Sequence, residues 1–216
     1  MEKKKKTKRL REESGGESSS GAVGVDAVEA AYAEIDGYDI ARAEKRRQRD
    51  AGVFQTGIQY GEIATRAFVT ALEWCRPSAG DTFIDLGSGT GKAVLTAAAH
   101  TAFSSATGVE LLKPLHDAAL TALARCSGGL QTKDVQLVCA DALEFAWHEH
   151  DVVFVSLTCF DDEQVARVAA DAAKLSKGAR LLVTTRALER PELRLLKRDT
   201  LPYGKGRMTF IAYERV

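Results

Sequence analysis

Phe83-Ile84-Asp85-Leu86-Gly87-Ser88-Gly89-Thr90-Gly91 passes from an apolar run into three glycines at alternate positions, and a helical pattern opens at Lys92. Glycine lets the backbone turn sharply and admits a ligand close to it, while the helix that follows offers unpaired N–H groups at its start. Strand, glycine turn and helix in that order predict a ligand-binding βα unit of an α/β fold. Two rival loops fit poorly. The phosphate-cradling P-loop needs glycine five residues before the Gly-Lys pair and Ser or Thr after it, where this chain has Leu86 and Ala93. The dinucleotide fingerprint would place its third glycine at Lys92, one residue beyond Gly91. A glycine turn without a ligand is the remaining alternative, and the acidic residues downstream weigh against it.

Beyond this loop, short apolar runs alternate with amphipathic stretches. Strands are predicted at 82–85, 106–109, 135–139, 152–155 and 180–184. Between them Leu115, Ala119, Ala122 and Cys126 recur at helical spacing, as do Val165, Val168, Ala172 and Leu175. Gly178 is placed to close the second of these helices in a left-handed conformation. Such alternation predicts a parallel sheet covered on both faces. After Thr185 the rhythm changes, and residues 193–200 and 208–213 read as strands joined through Pro202, Gly204 and Gly206. The expected fold class is therefore α/β, a doubly wound, Rossmann-like sheet of about seven strands ending in a C-terminal antiparallel hairpin.

Upstream of the loop, three stretches differ in composition. Residues 1–20 carry Lys3, Lys4, Lys5, Lys6, Lys8, Arg9 and Arg11, then Gly, Ser and Glu, and predict a disordered basic tail because they have almost nothing to bury. Residues 26–50 place Val28, Ala31, Tyr32 and Ile35 at helical spacing before an interruption at Gly37 and a charged half with Lys45, Arg46, Arg47 and Arg49. A further helix is predicted over 61–75 from Ile63, Ala67, Ala71 and Cys75, ended by Pro77 and Gly80. The chain thus divides into a tail (1–20), an amino-terminal helical segment (21–80) and a ligand-binding domain (81–216).

Lys and Arg together number 30, as do Asp and Glu, so the formal net charge is zero. That excludes a nucleic-acid-like or membrane-like charge for the whole molecule and confines basic character to the two runs. Cys75, Cys126, Cys139 and Cys159 lie far apart with no C-x-x-C pair, and Cys139 and Cys159 fall in apolar runs that read as strands, so reduced, buried thiols in an intracellular protein are expected. His148 and His150 flank Glu149 without further ligands nearby, so no metal site is expected. No apolar run approaches the roughly 20 residues of a membrane helix, and the charged start lacks the apolar core of a secretory signal; a soluble protein is expected.

Glu110 ends the second strand, where a carboxylate can accept both hydroxyls of a ribose bound at the sheet's carboxyl edge. Asp141 begins Asp141-Ala142-Leu143 after the third strand; it can take the amino group of an adenine covered by Leu143 or Phe145, or it can cap the following turn. Asp85, ending the first strand, can orient an ammonium directly or through water.

Tyr60-Gly61-Glu62, the run from Phe83 to Lys92 and Gly108-Val109-Glu110 together resemble the non-SET histone lysine methyltransferases named for disruption of telomeric silencing, over roughly residues 57–185. The resemblance implies a class I methyltransferase fold, S-adenosylmethionine as cofactor, S-adenosylhomocysteine as product and a lysine of the nucleosome as acceptor. Carried over residue by residue, Tyr60 and Glu62 become a lid over the methionine end of the cofactor, making 21–80 a helical segment with a cofactor lid. Gly87, Ser88, Gly89, Gly91, Lys92 and Glu110 become cofactor contacts, with Asp85, Asp141 and Ala142 beside them. After the fourth strand the family's Asn-Asn-Phe run is replaced by Ser156-Leu157-Thr158-Cys159-Phe160, in which Phe160 survives. Tyr60, Phe160 and Thr158 are accordingly the candidate catalytic residues beside the passage to the methyl group.

Three functional classes stay open at this level. One is a protein lysine methyltransferase acting on a histone or nucleosome, its basic tail meeting an acidic or nucleic-acid surface, in the nucleus or cytoplasm. Another is a methyltransferase acting on RNA or a small molecule; the Asp/Asn-Pro-Pro-Tyr/Phe signature is absent after the fourth strand, which counts against base N-methylation. The third is a methyltransferase-like scaffold without catalysis.

Overall fold

The strand that carries the glycine loop, β1 (Thr82–Leu86), is flanked in parallel by β2 (Ser105–Glu110) on one side and β4 (Val152–Val155) on the other. In the computed structural model, which describes residues 19–52, 60–203 and 206–216, these strands centre a seven-stranded sheet. Outside β2 lies β3 (Val135–Cys139); outside β4 follow β5 (Arg180–Thr184), β7 (Gly206–Arg215) and β6 (Leu193–Tyr203), giving the order β3-β2-β1-β4-β5-β7-β6. The first five strands are parallel, and β7 runs antiparallel to both β5 and β6. The doubly wound sheet with a closing hairpin is the architecture expected from the alternation of runs.

Successive residues of a strand face opposite sides, and here both sides are apolar. Phe83 packs with α3 (Thr65–Glu73) and α4 (Lys92–His100), where Phe68 meets Phe83 and Phe154 edge to face. Ile84 packs on the other face with α6 (Asp162–Ala172), through Val165, Val168 and Ala172. Helix α5 (Lys113–Cys126) buries Leu115, Ala119, Ala122 and Cys126, the four positions its spacing marked. Helix α1 (Ser19–Ala31) sets Val25, Val28 and Ala31 into the same cluster as α4, so α1 shares the sheet's core.

Several boundaries differ from the sequence expectation. Helix α1 starts at Ser19, inside the stretch read as tail, and the rest of that stretch, 1–18, lies outside the described residues. The interruption near Gly37 is a true break: Asp36 caps α2 (Gly37–Asp50) by accepting the Asp39 N–H at 2.9 Å. Helix α3 begins four residues later than predicted, because Gly61 to Ala64 form no helix and the Glu62 N–H goes to the Tyr38 hydroxyl instead. Gly178 is left-handed (φ 86°) as expected, but α6 already ends at Ala172, and Gly178 serves the entry to β5 by donating to the Arg215 carbonyl. The hairpin arms are longer than predicted, while the turn residues 204–205 lie outside the described residues.

Cys75, in the turn after α3, and Cys126, at the end of α5, are buried as expected, but the other two cysteines are not. Cys139 is exposed because β3 is an edge strand, and Cys159 stands in a short 3-10 turn after β4.

Candidate active site

In an open parallel sheet, a crevice forms at the strands' carboxyl ends where neighbouring connections leave in opposite directions. Here that point lies between β1 and β4, and a cavity of about 430 Å³ occupies it, within the range of small-molecule sites. Asp85, Gly87 and Gly89 line it from β1 and its loop, Glu110 from β2, and Ser156 and Phe160 from the segment after β4.

Gly87, Gly89 and Gly91 all have positive φ, which turns the chain from β1 into α4 within five residues. At Gly89 (φ 56°) a Cβ would also stand 2.8 Å from the Tyr60 ring, so a side chain there is opposed twice. Glu110 is buried, and its carboxylate accepts the Gly89 N–H and the Leu112 N–H, each at 2.7 Å. Burial pushes its pKa up against the pull of those hydrogen bonds. Each carboxylate oxygen keeps a lone pair for a ligand hydroxyl. Asp85 is 2% exposed, and its Oδ1 has no hydrogen-bond partner among the described residues. Burial, with Glu110 nearby, raises its pKa well above the usual carboxylate range.

Asp141 lines the cavity from an exposed position and accepts the Leu143 N–H at 2.8 Å, so it caps its turn and faces the site at once. Ala142 beside it is buried and lines the wall.

Residues 60–62 line the cavity as well. The Tyr60 hydroxyl lies 2.9 Å from Thr90 Oγ1 and 3.4 Å from Glu62, and burial, then the Glu62 charge, hold the phenol protonated. Gly37 makes room for that hydroxyl, since a Cβ on it would collide with the Tyr60 ring end. The Tyr38 ring meets Tyr60 edge-on at 5.2 Å, and Tyr203 crosses Gly61. Lys92 lies between Glu62 and Glu29, with its side chain 12% exposed.

In the segment after β4, Leu157 is fully buried and anchors the 3-10 turn, which sends Ser156, Cys159 and Phe160 into the cavity wall. Thr158 does not line it; its hydroxyl pairs with Thr185 at 2.8 Å in an exposed position. The candidate Thr158 is therefore apart from Tyr60 and Phe160. Sequence reasoning missed Ser156, Cys159, Tyr38 and Tyr203. The i, i+3 spacing of Ser156 and Cys159 was the available signal for the first two; nothing local marks the tyrosines.

A seven-stranded sheet of this order, with the glycine loop and paired carboxylates at its switch point, defines a class I, S-adenosylmethionine-dependent methyltransferase. The family described as histone methylation protein DOT1 matches residues 41–203, and this chain belongs to that family. No curated protein matches it in sequence. Among solved structures it is similar to an RNA methyltransferase from Salinibacter ruber in complex with S-adenosyl-L-homocysteine (TM-score 0.57, 18% identity, covering 71% of this chain and 93% of that one). It is also similar to magnesium protoporphyrin IX methyltransferase from Synechocystis PCC 6803 with bound S-adenosylmethionine (TM-score 0.56, 13% identity, covering 85% and 99%). At such identities the likeness is one of fold.

The residues present fit the cofactor of that class. An orphaned buried carboxylate suits an ammonium, a carboxylate fixed by two backbone N–H groups suits a ribose diol, and the loop leaves space beside Gly87, where a Cβ would meet nothing within 4 Å.

Proposed function

We propose that the chain methylates a lysine side chain of a protein, with a histone or the nucleosome as substrate, and that it works in the nucleus. Family membership over residues 41–203 is the observation that carries this reading. The aromatic wall of Tyr60 and Phe160 beside the cavity agrees with it, as does the basic run at residues 3–11. No helix among the described residues is long and apolar enough to cross a membrane.

Glu110 would hold the ribose hydroxyls, Asp85 the ammonium and Asp141 the adenine amino group, while Tyr60 and Glu62 cover the methionine end. When bound, S-adenosylmethionine supplies an electrophilic methyl group on a sulfonium. The protein's part is position and desolvation: Phe160 and the Tyr60 ring exclude water, which favours the neutral amine of an entering lysine. Tyr60 and Phe160 would hold the amine in line with the methyl group of the bound cofactor, and the surplus amine proton would leave to water. A phenol kept protonated at Tyr60 can donate a hydrogen bond but does not serve as base.

Labelled S-adenosylmethionine incubated with the chain and, separately, nucleosomes, free histones and total RNA tests this. Label is expected in histone protein and stable to acid, as N-methyl-lysine is. Label entering RNA would overturn the acceptor assignment, and so would cofactor binding with no transfer to any of the three.

A further inference from the structure

Lys92 is the first residue of α4, a place where the helix dipole disfavours a cation. Its side chain is nearly buried, yet its Nζ makes no hydrogen bond among the described residues. The Nζ lies 3.6 Å from Glu29 on α1, 3.7 Å from Glu62, and 5.1 Å from the centre of the Tyr32 ring. The surroundings of that pocket are fixed from behind: the Tyr32 hydroxyl donates to the Thr90 carbonyl at 2.7 Å, and Glu29 accepts from the Thr65 hydroxyl. A helix start that needs no cation thus holds one at nearly equal distances from two carboxylates, one on an amino-terminal helix and one in the segment lining the cavity.

We propose that Lys92 is a positioning residue that holds residues 60–62 over the cavity, by sharing its charge between Glu62 and the anchored Glu29. The proposal rests on the reading that this cavity takes S-adenosylmethionine. It makes α1, which lends no residue to the cavity wall, part of the cofactor site at one remove. Separations beyond hydrogen-bond length make this a matter of charge and not of fixed geometry, so Arg should replace Lys.

The test uses the full chain, Lys92→Met, Lys92→Arg, Glu29→Gln and the Lys92→Met/Glu29→Gln pair. S-adenosylhomocysteine affinity is measured by calorimetry, together with the thermal midpoint and amide exchange of peptide 60–66 in the ligand-free protein. Lys92→Met should weaken binding by about tenfold, as expected for losing a nearly buried cation from between two partly exposed carboxylates. It should also speed exchange at 60–66 by more than any fall in the midpoint accounts for, because Glu62 and Glu29 are then left facing each other without a cation. Arg should restore affinity to within about twofold, and Glu29→Gln should add nothing to Lys92→Met. Parent-like affinity in Lys92→Met would overturn the proposal. So would weaker binding with unchanged exchange, which would set the lysine's charge on the ligand itself. A parent chain that binds no S-adenosylhomocysteine would remove the cofactor assignment instead, while the exchange comparison still judges Lys92.

Discussion

Asp85 is the residue where sequence position, burial and charge meet. Its pKa in the folded chain stands well above the unfolded value of about 3.9, so the folded protein holds a proton there that the unfolded chain releases. The associated stability is complete below pH of about 4 and is lost as pH rises toward the folded value. Asp85→Asn should therefore be more stable than the parent at pH 7, with a flatter decline from pH 4 upward, as followed by denaturant midpoints at several pH values. A parent and variant with parallel profiles would contradict a buried, proton-holding carboxylate. The same carboxyl group should release its proton to solvent when a ligand's ammonium binds beside it, so S-adenosylhomocysteine binding should tighten as pH rises from about 4. Glu110, which ends β2, and Asp85, one residue before the end of β1, were legible from position because a carboxylate at the carboxyl end of a parallel strand faces the sheet edge. Thr158 was not, because a 3-10 turn rotates each residue by a third of a circle, and one buried leucine decides which side chains reach the cavity.

At the scale of elements, α3 links the site to the core: its Phe68 is fully buried against Phe83 and Phe154, the latter lining the cavity. Phe68→Ala should cost about 3–5 kcal/mol of folding free energy, read as a fall in the denaturant midpoint at an unchanged slope. A cost below about 1 kcal/mol would mean that the helix contributes little to the core. Strands were legible because buried parallel strands are short apolar runs between polar punctuation, and α5 because its apolar residues fall on one face. The start of α3 was not, since Ile63 continues the helical spacing into a segment that the Tyr38 hydroxyl and the glycine loop hold extended. Local periodicity cannot register a competing tertiary partner.

For the whole molecule, a formal charge of zero conceals an uneven distribution. Two of the four cations in the basic run on α2 are paired on or beside that helix, Arg47 with Glu44 at 2.6 Å and Arg49 with Asp50 at 3.5 Å, and Arg42 ahead of the run pairs with Asp39. Lys45 and Arg46 form no ion pair among the described residues. If the substrate is acidic, residues 3–11, outside the described part, and the unpaired Lys45 and Arg46 are the cations left to attract it. Deleting residues 1–18 should leave S-adenosylhomocysteine affinity unchanged but raise the KM for nucleosomes and flatten its salt dependence, since exposed charges act on encounter and retention. Full activity on nucleosomes at every salt concentration after that deletion would make the tail dispensable for substrate capture.

The assignment of the cavity is tested most directly at the carboxylate that ends β2. Titration of S-adenosylhomocysteine into the parent chain and into Glu110→Ala should show one site in each, with the variant weaker by about 1–3 kcal/mol, the worth of hydrogen bonds to a charged acceptor. The parent should also bind the 2'-deoxy analogue less well than S-adenosylhomocysteine itself, and Glu110→Ala should no longer distinguish the two. Equal affinity of parent and Glu110→Ala for S-adenosylhomocysteine would contradict the placement of the cofactor in this cavity.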